Sequence, residues 1–489
     1  MLMWEPVIGL EVHVELLTKS KLFCGCANRF GAPPNSQVCP VCLALPGALP
    51  ALNARAVDLL ITAGLATHCD IPPRSKFDRK NYFYPDMPKN FQISQYDLPV
   101  AVGGWLDIPG GRRIRITRIH LEEDTGKSTH PASLTDGGEM VAGRIDSAEY
   151  TLEDYNRAGV PLAEIVSEPD VRGADEAVAY LQQLREILVW AGVSDCKMEE
   201  GSLRCDANVS VRPTGQERLG TRTEIKNLNS FKSVQKAISH EIQRQIKWLE
   251  GGGKIVQETR AWDEQREVTH SLRSKEEAHD YRYFPEPDLR PLEIDAAWLE
   301  RIRKGLPEMP AARRARFESQ YSLPAGDADG LTRTREMADF FEAAVTAGAP
   351  AKEAANWLLG DVSRMANERG GLEHVPLSPA RLCGLISLIE KGTITRKIAK
   401  EVLDEMVAGG KDADAIVEVR GLRQIDSSDA LRPILEQVLD KNADAVASFL
   451  GGREKAFDAL VGQVMAATRG KANPAVAREM LREMIAARN

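Results

Sequence analysis

The stretch that decides the fold is Ile8-Gly9-Leu10-Glu11-Val12-His13-Val14-Glu15-Leu16. Its even positions are all apolar, whereas three of its odd positions carry ionisable side chains. Because successive side chains of a β-strand point to opposite faces, this alternation predicts a strand with Glu11, His13 and Glu15 on one face. Strands of this kind occur in antiparallel sheets that cover a core with one face and leave the other face open.

Two further segments extend the predicted sheet. From Arg204 to Arg212 polar and apolar residues alternate, and within the short run 221–226 the side chains of Arg222, Glu224 and Lys226 share one face. Apolar residues at helical spacing between Ala177 and Leu188 predict a helix, with Asp175 as its candidate N-cap. The predicted fold class is therefore α+β, with flanking helices on a mainly antiparallel sheet.

The organisation of the chain changes near residue 293. A chain of 489 residues is too long for one ordinary core. The segment Phe284-Pro285-Glu286-Pro287-Asp288 predicts a linker because two prolines stop regular structure, and the pattern after it is helical. Gly409-Gly410 predicts a further break. We therefore expect a domain over 1–292, an all-α domain over 293–408 and a helical tail over 409–489.

Composition and charge limit the class of protein. Hydrophobic residues make up 43% and charged residues 27% of the chain, as in globular proteins. No apolar run approaches the roughly 20 residues of a membrane span, and early ionisable residues argue against a secretory signal, so we expect a cytoplasmic protein. The net charge of −8 argues against a protein that coats nucleic acid non-specifically. It leaves room for an RNA partner that is recognised by shape.

Four cysteines form the first candidate site. Cys24 and Cys26 are followed, after twelve residues, by Cys39 and Cys42. Two close cysteine pairs at this separation predict a tetrahedral zinc knuckle, and a site closed by four thiolates is structural rather than catalytic. The alternative is four ordinary reduced cysteines.

Acidic residues and one histidine form the second candidate site. They lie in or beside strand-like segments and are Glu11, His13, Glu122, Glu123, Glu164, Asp206 and Glu224. A site that gathers several carboxylates usually needs a cation, and Mg²⁺, which also holds phosphates, suits carboxylate oxygens. This composition points to phosphoryl transfer. The alternative is that each residue lies on the solvated face of a one-sided sheet, because the sequence alone does not bring these strands together.

Basic, aromatic and amide groups alternate in a third segment. It runs from Phe77 to Asp86 and is followed by Pro88-Lys89-Asn90. Such a segment could hold a phosphate, a nucleobase or an acidic substrate, or it could be a surface loop with aromatic anchors. Gly126-Lys127-Ser128 is not a Walker A loop, because Leu121 occupies the position of the first glycine.

Several long motifs together resemble one family. They are Val7-Ile8-Gly9-Leu10-Glu11-Val12-His13, Lys80-Asn81-Tyr82-Phe83-Tyr84-Pro85-Asp86, Glu122-Glu123-Asp124-Thr125-Gly126-Lys127-Ser128, Leu203-Arg204-Cys205-Asp206-Ala207-Asn208, Glu224-Ile225-Lys226-Asn227-Leu228-Asn229 and Asp280-Tyr281-Arg282-Tyr283-Phe284-Pro285. The chain resembles, over essentially its whole length, the B subunits of aspartyl/glutamyl-tRNA amidotransferases. Its segment from Val446 to Leu481 is similar to the YqeY-like tail of that family.

The resemblance implies a cradle-shaped N-terminal domain that binds the 3′ end of Glu-tRNA(Gln) or Asp-tRNA(Asn). ATP would phosphorylate the side-chain carboxylate of the attached amino acid, and ammonia would then displace phosphate. The expected partners are the A and C subunits of a heterotrimeric amidotransferase, of which the first is an amidase that releases ammonia from glutamine. The cognate non-discriminating synthetase is a further expected partner, and no membrane is involved.

The resemblance also assigns roles to residues of this chain. The Mg²⁺ site falls on Glu11, His13, Glu122, Glu123, Glu164, Asp206 and Glu224, and the expected catalytic residues among them are Glu11, His13, Glu123, Asp206 and Glu224. Lys80 and Lys89 are assigned to an ammonia channel or to substrate access. Arg469 and Lys471 are expected to contact tRNA. Two alternatives remain, a non-catalytic tRNA-binding scaffold and a stand-alone kinase.

Overall fold

The computed structural model describes residues 3–134, 140–142, 150–274, 281–425, 427–468 and 470–488. The chain divides into two compact units, Met1–Met309 and Pro310–Asn489, which we call the N-terminal and C-terminal units. Within the described residues, none of the helices is both long enough and apolar enough to cross a membrane.

The N-terminal unit is built on one large sheet with small sheets beside it. Its described strands are β1 Trp4–Glu15, β2 Arg74–Ser75, β3 Asp78–Asn81, β4 Phe91–Ser94, β5 Ala101–Val102, β6 Trp105–Asp107, β7 Arg113–Glu123, β8 Lys127–Thr129, β9 Pro131–Leu134, β10 Met140–Ala142, β11 Leu152–Asp154, β12 Pro161–Ser167, β13 Leu203–Pro213, β14 Thr223–Leu228, β15 Glu258–Asp263, β16 Val268–Ser274, β17 Phe284–Pro285 and β18 Leu292–Glu293.

The strand order in the large sheet is β16-β15-β14-β13-β1-β12-β7-β5, and β6 also pairs with β7. Every one of these pairs is antiparallel except β14 with β15. The mainly antiparallel sheet and the α+β class that the sequence predicts are therefore confirmed. The first strand lies near the middle of the sheet, between β13 and β12. Its polar side chains therefore lie at the centre of the open face of the sheet.

Helices cover one face of this sheet. The helices of the N-terminal unit are α1 Ala54–Ala66, α2 Ala174–Trp190, α3 Phe231–Glu250 and α4 Ala296–Gly305. The even residues of β1, such as Leu10 and Val12, are fully buried and share one core with Leu181 of α2 and Ile238 of α3. The apolar face of β1 thus packs against the helices, and its polar face is available for a functional site.

The helix predicted around Ala177 forms, but its predicted N-cap is wrong. Gly173 is the N-cap of α2, with an extended backbone and no capping side chain. Asp175 lies inside the first turn, and its carboxylate accepts a hydrogen bond from Gln235 of α3 at 2.7 Å. Asp175 therefore links α2 to α3 by a hydrogen bond and does not cap the N-terminus of α2.

The linker predicted at Phe284–Asp288 is also wrong. Phe284 and Pro285 form β17, which pairs with β3. The backbone amide of Glu286 donates to Phe77 at 2.9 Å, and its buried carboxylate accepts from the guanidinium of Arg79 at 2.7 and 2.9 Å. Proline is compatible with this edge strand because such a position does not need its amide hydrogen. The segment therefore belongs to the N-terminal unit.

The C-terminal unit is helical, as predicted. Its helices are α5 Pro310–Tyr321, α6 Ala325–Leu331, α7 Arg335–Thr346, α8 Ala351–Trp357, α9 Ser363–Arg369, α10 Pro379–Glu390, α11 Arg396–Gly409, α12 Ala413–Val419, α13 Ser428–Lys441, α14 Ala443–Leu450, α15 Glu454–Ala467 and α16 Pro474–Ala487, with a π-turn at Leu358–Val362 and a 3₁₀ turn at Leu372–His374. Helix α11 ends at the predicted break, where Gly410 takes a left-handed conformation with φ 68°. A separate division at 408/409 remains a prediction.

Candidate functional site

The candidate site is built on the open face of the large sheet. Glu11 of β1 lies opposite Asp206 of β13, and His13 lies opposite Glu164 of β12. Directly paired residues of antiparallel strands project to the same face, so the register extends one polar row across five strands. From β7 to β14 the row is His120, Glu164, His13, Glu11, Asp206, Asn208 and Glu224.

This row is the floor of a cavity of about 420 Å³, which we call the acidic cavity. Its ionisable lining is Glu11, His13, His120, Glu122, Glu164, Asp206, Glu224 and Glu258, with the cations Lys80, Arg118, Arg222 and Lys226. The structure thus brings together six of the seven residues predicted for the acidic site, the exception being Glu123. The alternative of solvated residues scattered over an open sheet does not describe this arrangement.

Histidines and glutamates meet in one half of the acidic cavity. The Nε2 atom of His13 lies 3.4 Å from Glu164 and 3.7 Å from Glu122, and Nε2 of His120 lies 3.4 and 3.6 Å from the same two carboxylates. Burial alone would lower the pKa of His13, but the hydrogen bond and charge of Glu164 outweigh it and hold the pKa above its ordinary value. Burial opposes ionisation of Glu164, yet His120 and His13 hold its pKa well below its usual range.

This half has a donor set that fits a divalent cation. His13, Glu122 and Glu164 each offer one ligand atom, and these atoms all lie within 4.8 Å of one another. A set of one imidazole and two carboxylates can bind Mg²⁺, Mn²⁺ or a related divalent ion. It selects among these ions less strongly than a set of oxygen donors alone would. The geometry therefore supports a divalent cation at this place without selecting one ion.

Carboxylates and one lysine meet in the other half. The ammonium of Lys226 lies 2.8 Å from Asp206 and 3.1 Å from Glu224. Glu11 accepts a hydrogen bond from Asn208 at 2.9 Å, and burial followed by the charges of Glu164, Glu224 and Asp206 raises its pKa. Negative charge is therefore in excess here.

Tyrosines form one wall of the acidic cavity. Tyr96 and Tyr283 stack with their ring centroids 4.4 Å apart, and Tyr281 lies edge-on to Tyr283 at 6.2 Å. Tyr96 is 61% exposed although one face of its ring stacks on Tyr283. The ammonium of Lys80 lies 5.0 Å from the ring centre of Tyr281, which positions it over the floor. Burial lowers the pKa of Lys80, but the charge of Glu122 leads the effects that leave it above its ordinary value.

Glu123 and Lys89 lie together away from the acidic cavity. Strand alternation sends Glu123 to the face of β7 opposite Glu122, where its buried carboxylate pairs with the Lys89 ammonium and accepts from the backbone amide of Ile93 at 2.8 Å. The hydrogen bond from Ile93 joins β4 to β7, and Lys89 neutralises the carboxylate beside it. Lys471 donates to the carbonyl of Gly421 at 2.8 Å in the C-terminal unit, and Arg469 lies outside the described residues.

The four predicted cysteines converge. Ligand sulfur atoms of Cys24, Cys26, Cys39 and Cys42 all lie within 4.8 Å of one another. The backbone amide of Cys39 donates to the Cys42 sulfur at 3.1 Å, and the hydrogen bond from Cys24 leads the effects that lower the pKa of Cys42 to about 4. This donor set fits a tetrahedral metal ion bound by thiolates.

His120 and Lys226 belong to the site although the sequence does not assign them to it. Period two along β7 places Arg118, His120 and Glu122 on one face, so extending the strand pattern to Glu122 would find the second histidine. The strand pattern groups Lys226 with Glu224 on one face, but nothing in the sequence shows that its partner is Asp206. That contact depends on the pairing of β13 with β14.

Fold and site together define a class: an α+β domain whose open sheet face carries a charged cavity, joined to an all-helical unit. The sequence model of the GatB/GatE catalytic domain matches residues 6–300, and that of the GatB domain matches residues 339–485. The first match covers the sheet, the acidic cavity and the four cysteines. The second covers most of the C-terminal unit.

Full-length relatives agree with these matches. The chain is 53% identical to the B subunit of the aspartyl/glutamyl-tRNA(Asn/Gln) amidotransferase of Carboxydothermus hydrogenoformans, over 99% of each chain. It is 55% identical to the protein of that name from Geobacter sulfurreducens, over 98% of each, and 54% identical to that of Moorella thermoacetica, over 99% of this chain and 100% of the relative. The chain therefore belongs to the family of aspartyl/glutamyl-tRNA(Asn/Gln) amidotransferase B subunits.

Proposed function

We propose that this chain activates and amidates Glu or Asp while the amino acid is attached to tRNA(Gln) or tRNA(Asn). The observation that carries the proposal is the acidic cavity, where Glu11, His13 and Glu164 converge with Lys80 and Lys226 on the floor of an open sheet. A protein that only bound RNA would have no use for this concentration of carboxylates, since phosphates are repelled by them.

The chemistry needs two steps. An oxygen of the substrate carboxylate attacks the γ-phosphorus of ATP, and the bond to the leaving ADP breaks with its electron pair. Ammonia then attacks the carbonyl carbon of the acyl phosphate, the C–O bond to phosphate breaks, and the proton lost from nitrogen ends on phosphate. The first step is required because a carboxylate oxygen is a poor leaving group and phosphate is a good one.

Residues of the acidic cavity suit these steps. A bound Mg²⁺ would neutralise charge on the transferring phosphoryl group, and His13, Glu122 and Glu164 are placed to hold it, with Glu11 as a further ligand. Asp206 and Glu224 would hold a second ion or the nucleotide. Lys80 presents a fixed cation to an anionic oxygen above the floor. The open tyrosine wall offers ring faces on which an unpaired base of the tRNA 3′ end could stack.

The finer assignments follow the family resemblance. Ammonia is supplied from glutamine by the A subunit in a heterotrimer that the C subunit completes. Lys80 and Lys89 lie on the ammonia channel or on the path of substrate access. Zn²⁺ on the four cysteines braces the loop after β1. Arg469 and Lys471 contact tRNA from the helical tail. Because the substrate is tRNA, the reaction takes place in the cytoplasm, beside the non-discriminating synthetase.

The test is amidation by the chain assembled with its A and C subunits. Misacylated Glu-tRNA and Asp-tRNA are each supplied with ATP, Mg²⁺ and either glutamine or ammonium. We expect ATP-dependent amide formation with both nitrogen sources, and a loss of at least about 100-fold in the Glu11→Ala variant with tRNA binding retained. Glu5→Ala is the matched control, because Glu5 lies on the same face of β1 but outside the cavity, paired with Arg212 at 2.7 Å.

Other results would support the alternatives. Full amidation by Glu11→Ala would remove the acidic cavity from the reaction. tRNA binding without amide under any condition would favour a scaffold. ATP hydrolysis by the chain without its partners would favour a stand-alone kinase.

A further inference from the structure

Lys21 is a lysine that the fold buries completely. It lies in the loop after β1, and its relative exposure is 0%. Within the part of the chain that the structure describes, its ammonium makes one hydrogen bond, to the carbonyl of Tyr155 at 3.1 Å, and no ion pair. Because burial of a charge is costly unless an opposite charge compensates it, this ammonium needs an anion nearby.

Two possible sources of negative charge pack beside Lys21, and both are seen at Gly159. A Cβ atom on this glycine would lie 3.7 Å from both Cδ of Lys21 and Cβ of Cys42, and 3.9 Å from a carboxylate oxygen of Glu123. Glu123 already pairs with the ammonium of Lys89. The four cysteines 24, 26, 39 and 42, which we call the four-cysteine site, are therefore the source that is left for Lys21.

The backbone also holds Lys21 to the loop that carries these cysteines. Its amide donates to the carbonyl of Cys26 at 3.0 Å. The hydrogen bond from Cys24 leads the effects that lower the pKa of Cys42, and the charge of Lys21 acts in the same direction. The ammonium is thus fixed beside the thiols, where it favours their ionised form.

The charge of a metal-loaded four-cysteine site would match this cation. Four thiolates and one Zn²⁺ together carry two net negative charges. The backbone amide of Cys39, which donates to the sulfur of Cys42 at 3.1 Å, offsets a part of that charge. A fixed cation beside the thiolates offsets more of it, because charges are poorly screened from one another in a buried place.

We propose that Lys21 is the counter-charge of the four-cysteine site, so that its buried ammonium strengthens Zn²⁺ binding and the zinc-loaded thiolates compensate the ammonium in return. The inference rests on the proposed function, from which it takes the zinc. Lys21 is then a positioning residue that acts on the metal through the thiolates. The lysine and the metal stabilise each other, and either one alone makes the fold less stable.

The proposal predicts that Lys21→Met affects the zinc-loaded and the zinc-free chain differently. In competition with a chromogenic chelator, the full-length variant should bind Zn²⁺ about 10- to 100-fold more weakly, as is usual when a partner of metal ligands is removed. After removal of zinc by excess chelator, the variant should unfold at the same or a higher urea concentration than the zinc-free unmodified chain. The reason is that methionine has nearly the same length as lysine and no charge to compensate.

A lysine that only fastens the loop to the carbonyl of Tyr155 would behave differently, because its loss would weaken the zinc-free chain as well. Unchanged Zn²⁺ affinity in Lys21→Met would overturn the proposal, and so would a zinc-free variant that unfolds at a lower urea concentration. Lys19→Met is the matched control, since Lys19 is an exposed lysine of the same loop. We expect it to change neither measurement.

The experiment separates this inference from the proposed zinc site and from the proposed reaction. If the unmodified chain binds no Zn²⁺ that Cys42→Ser lacks, the zinc site itself fails. If it binds that ion, and Lys21→Met binds it equally tightly, only the role of Lys21 fails. Neither measurement uses amide formation, so a failure of the proposed reaction would be seen separately.

Discussion

The first strand ends in a carboxylate whose charge the fold offsets only in part. Glu15 lies on the polar face of β1, next to a pair in which Arg204 donates to the buried Asp124 at 2.5 Å. Arg157 also faces Asp124, at 3.4 Å. Burial, followed by the charge of Asp124, raises the pKa of Glu15 to about 7, because these effects outweigh the opposing charges of Arg204 and Arg157. The residue is thus ionised at a cost near neutral pH.

Replacing Glu15 by glutamine should stabilise the N-terminal unit at alkaline pH. A pKa of about 7 in the folded state against 4.5 in the unfolded state means that folding favours the protonated form. The advantage is complete below about pH 4.5 and is lost as the pH rises through 7. We therefore expect the free energy of unfolding of Glu15→Gln to exceed that of the unmodified chain by about 1–3 kcal/mol at pH 8.5, and the difference to shrink towards pH 5.

Urea unfolding at pH 5.5 and 8.5 measures this difference, and a gain that is the same at both pH values would contradict the assignment. Glu5→Gln is the control of opposite sign. The hydrogen bond from Arg212 leads the effects that lower the pKa of Glu5, so its stabilisation is present above the unfolded pKa and is lost in acid. Its removal should therefore destabilise the chain at pH 8.5.

At the scale of elements, what the sequence could predict depended on whether a pattern was local. The alternation in β1 and β13 predicted which face of each strand is polar, and both strands form with that face open. The choice of Glu123 as a ligand overlooked the same alternation in β7, which points it to Lys89. Contacts such as Lys226 with Asp206 depend on pairing between strands that are distant in sequence, and no local pattern encodes that pairing.

The loop after β1 provides the prediction at this scale. It holds the four converging cysteines, of which Cys42 is buried. We expect one Zn²⁺ per chain, measured by atomic emission, and loss of that zinc in Cys42→Ser, because three thiolates leave the tetrahedral site open. Removal of zinc should expose residues 24–42 to limited proteolysis, since metal binding and local folding are coupled.

Cys383→Ser is the matched control for the zinc prediction. Cys383 is a half-buried cysteine of the C-terminal unit whose thiol donates to the carbonyl of Ala347 at 3.2 Å. It should retain full zinc. A zinc-free unmodified chain, or full zinc in Cys42→Ser, would return the four cysteines to the alternative of ordinary reduced thiols.

The whole molecule combines units that bury separate cores. The core of the N-terminal unit lies between the large sheet and its helices. Within the C-terminal unit, α13, α15 and α16 bury a cluster of their own, in which Leu435, Phe457, Leu460 and Leu481 are fully or almost fully buried. The acidic cavity and this helical cluster therefore do not depend on the same packing. Removal of the helical cluster can test whether activation and tRNA contact belong to different units, as the sequence predicts.

Truncation after Ile425 removes α13–α16 and leaves the N-terminal unit whole. We expect the midpoint temperature of its thermal transition to match that of the full chain. Its rate of amidation of a misacylated acceptor minihelix should stay within about twofold of that of the full chain, because the acidic cavity is intact. With full-length tRNA the KM should rise about tenfold or more, since the tail is proposed to contact the elbow that a minihelix lacks. An equal loss with both substrates would mean that the tail supports the cradle itself. No loss with either would remove the tail from tRNA recognition, and with it the proposed roles of Arg469 and Lys471.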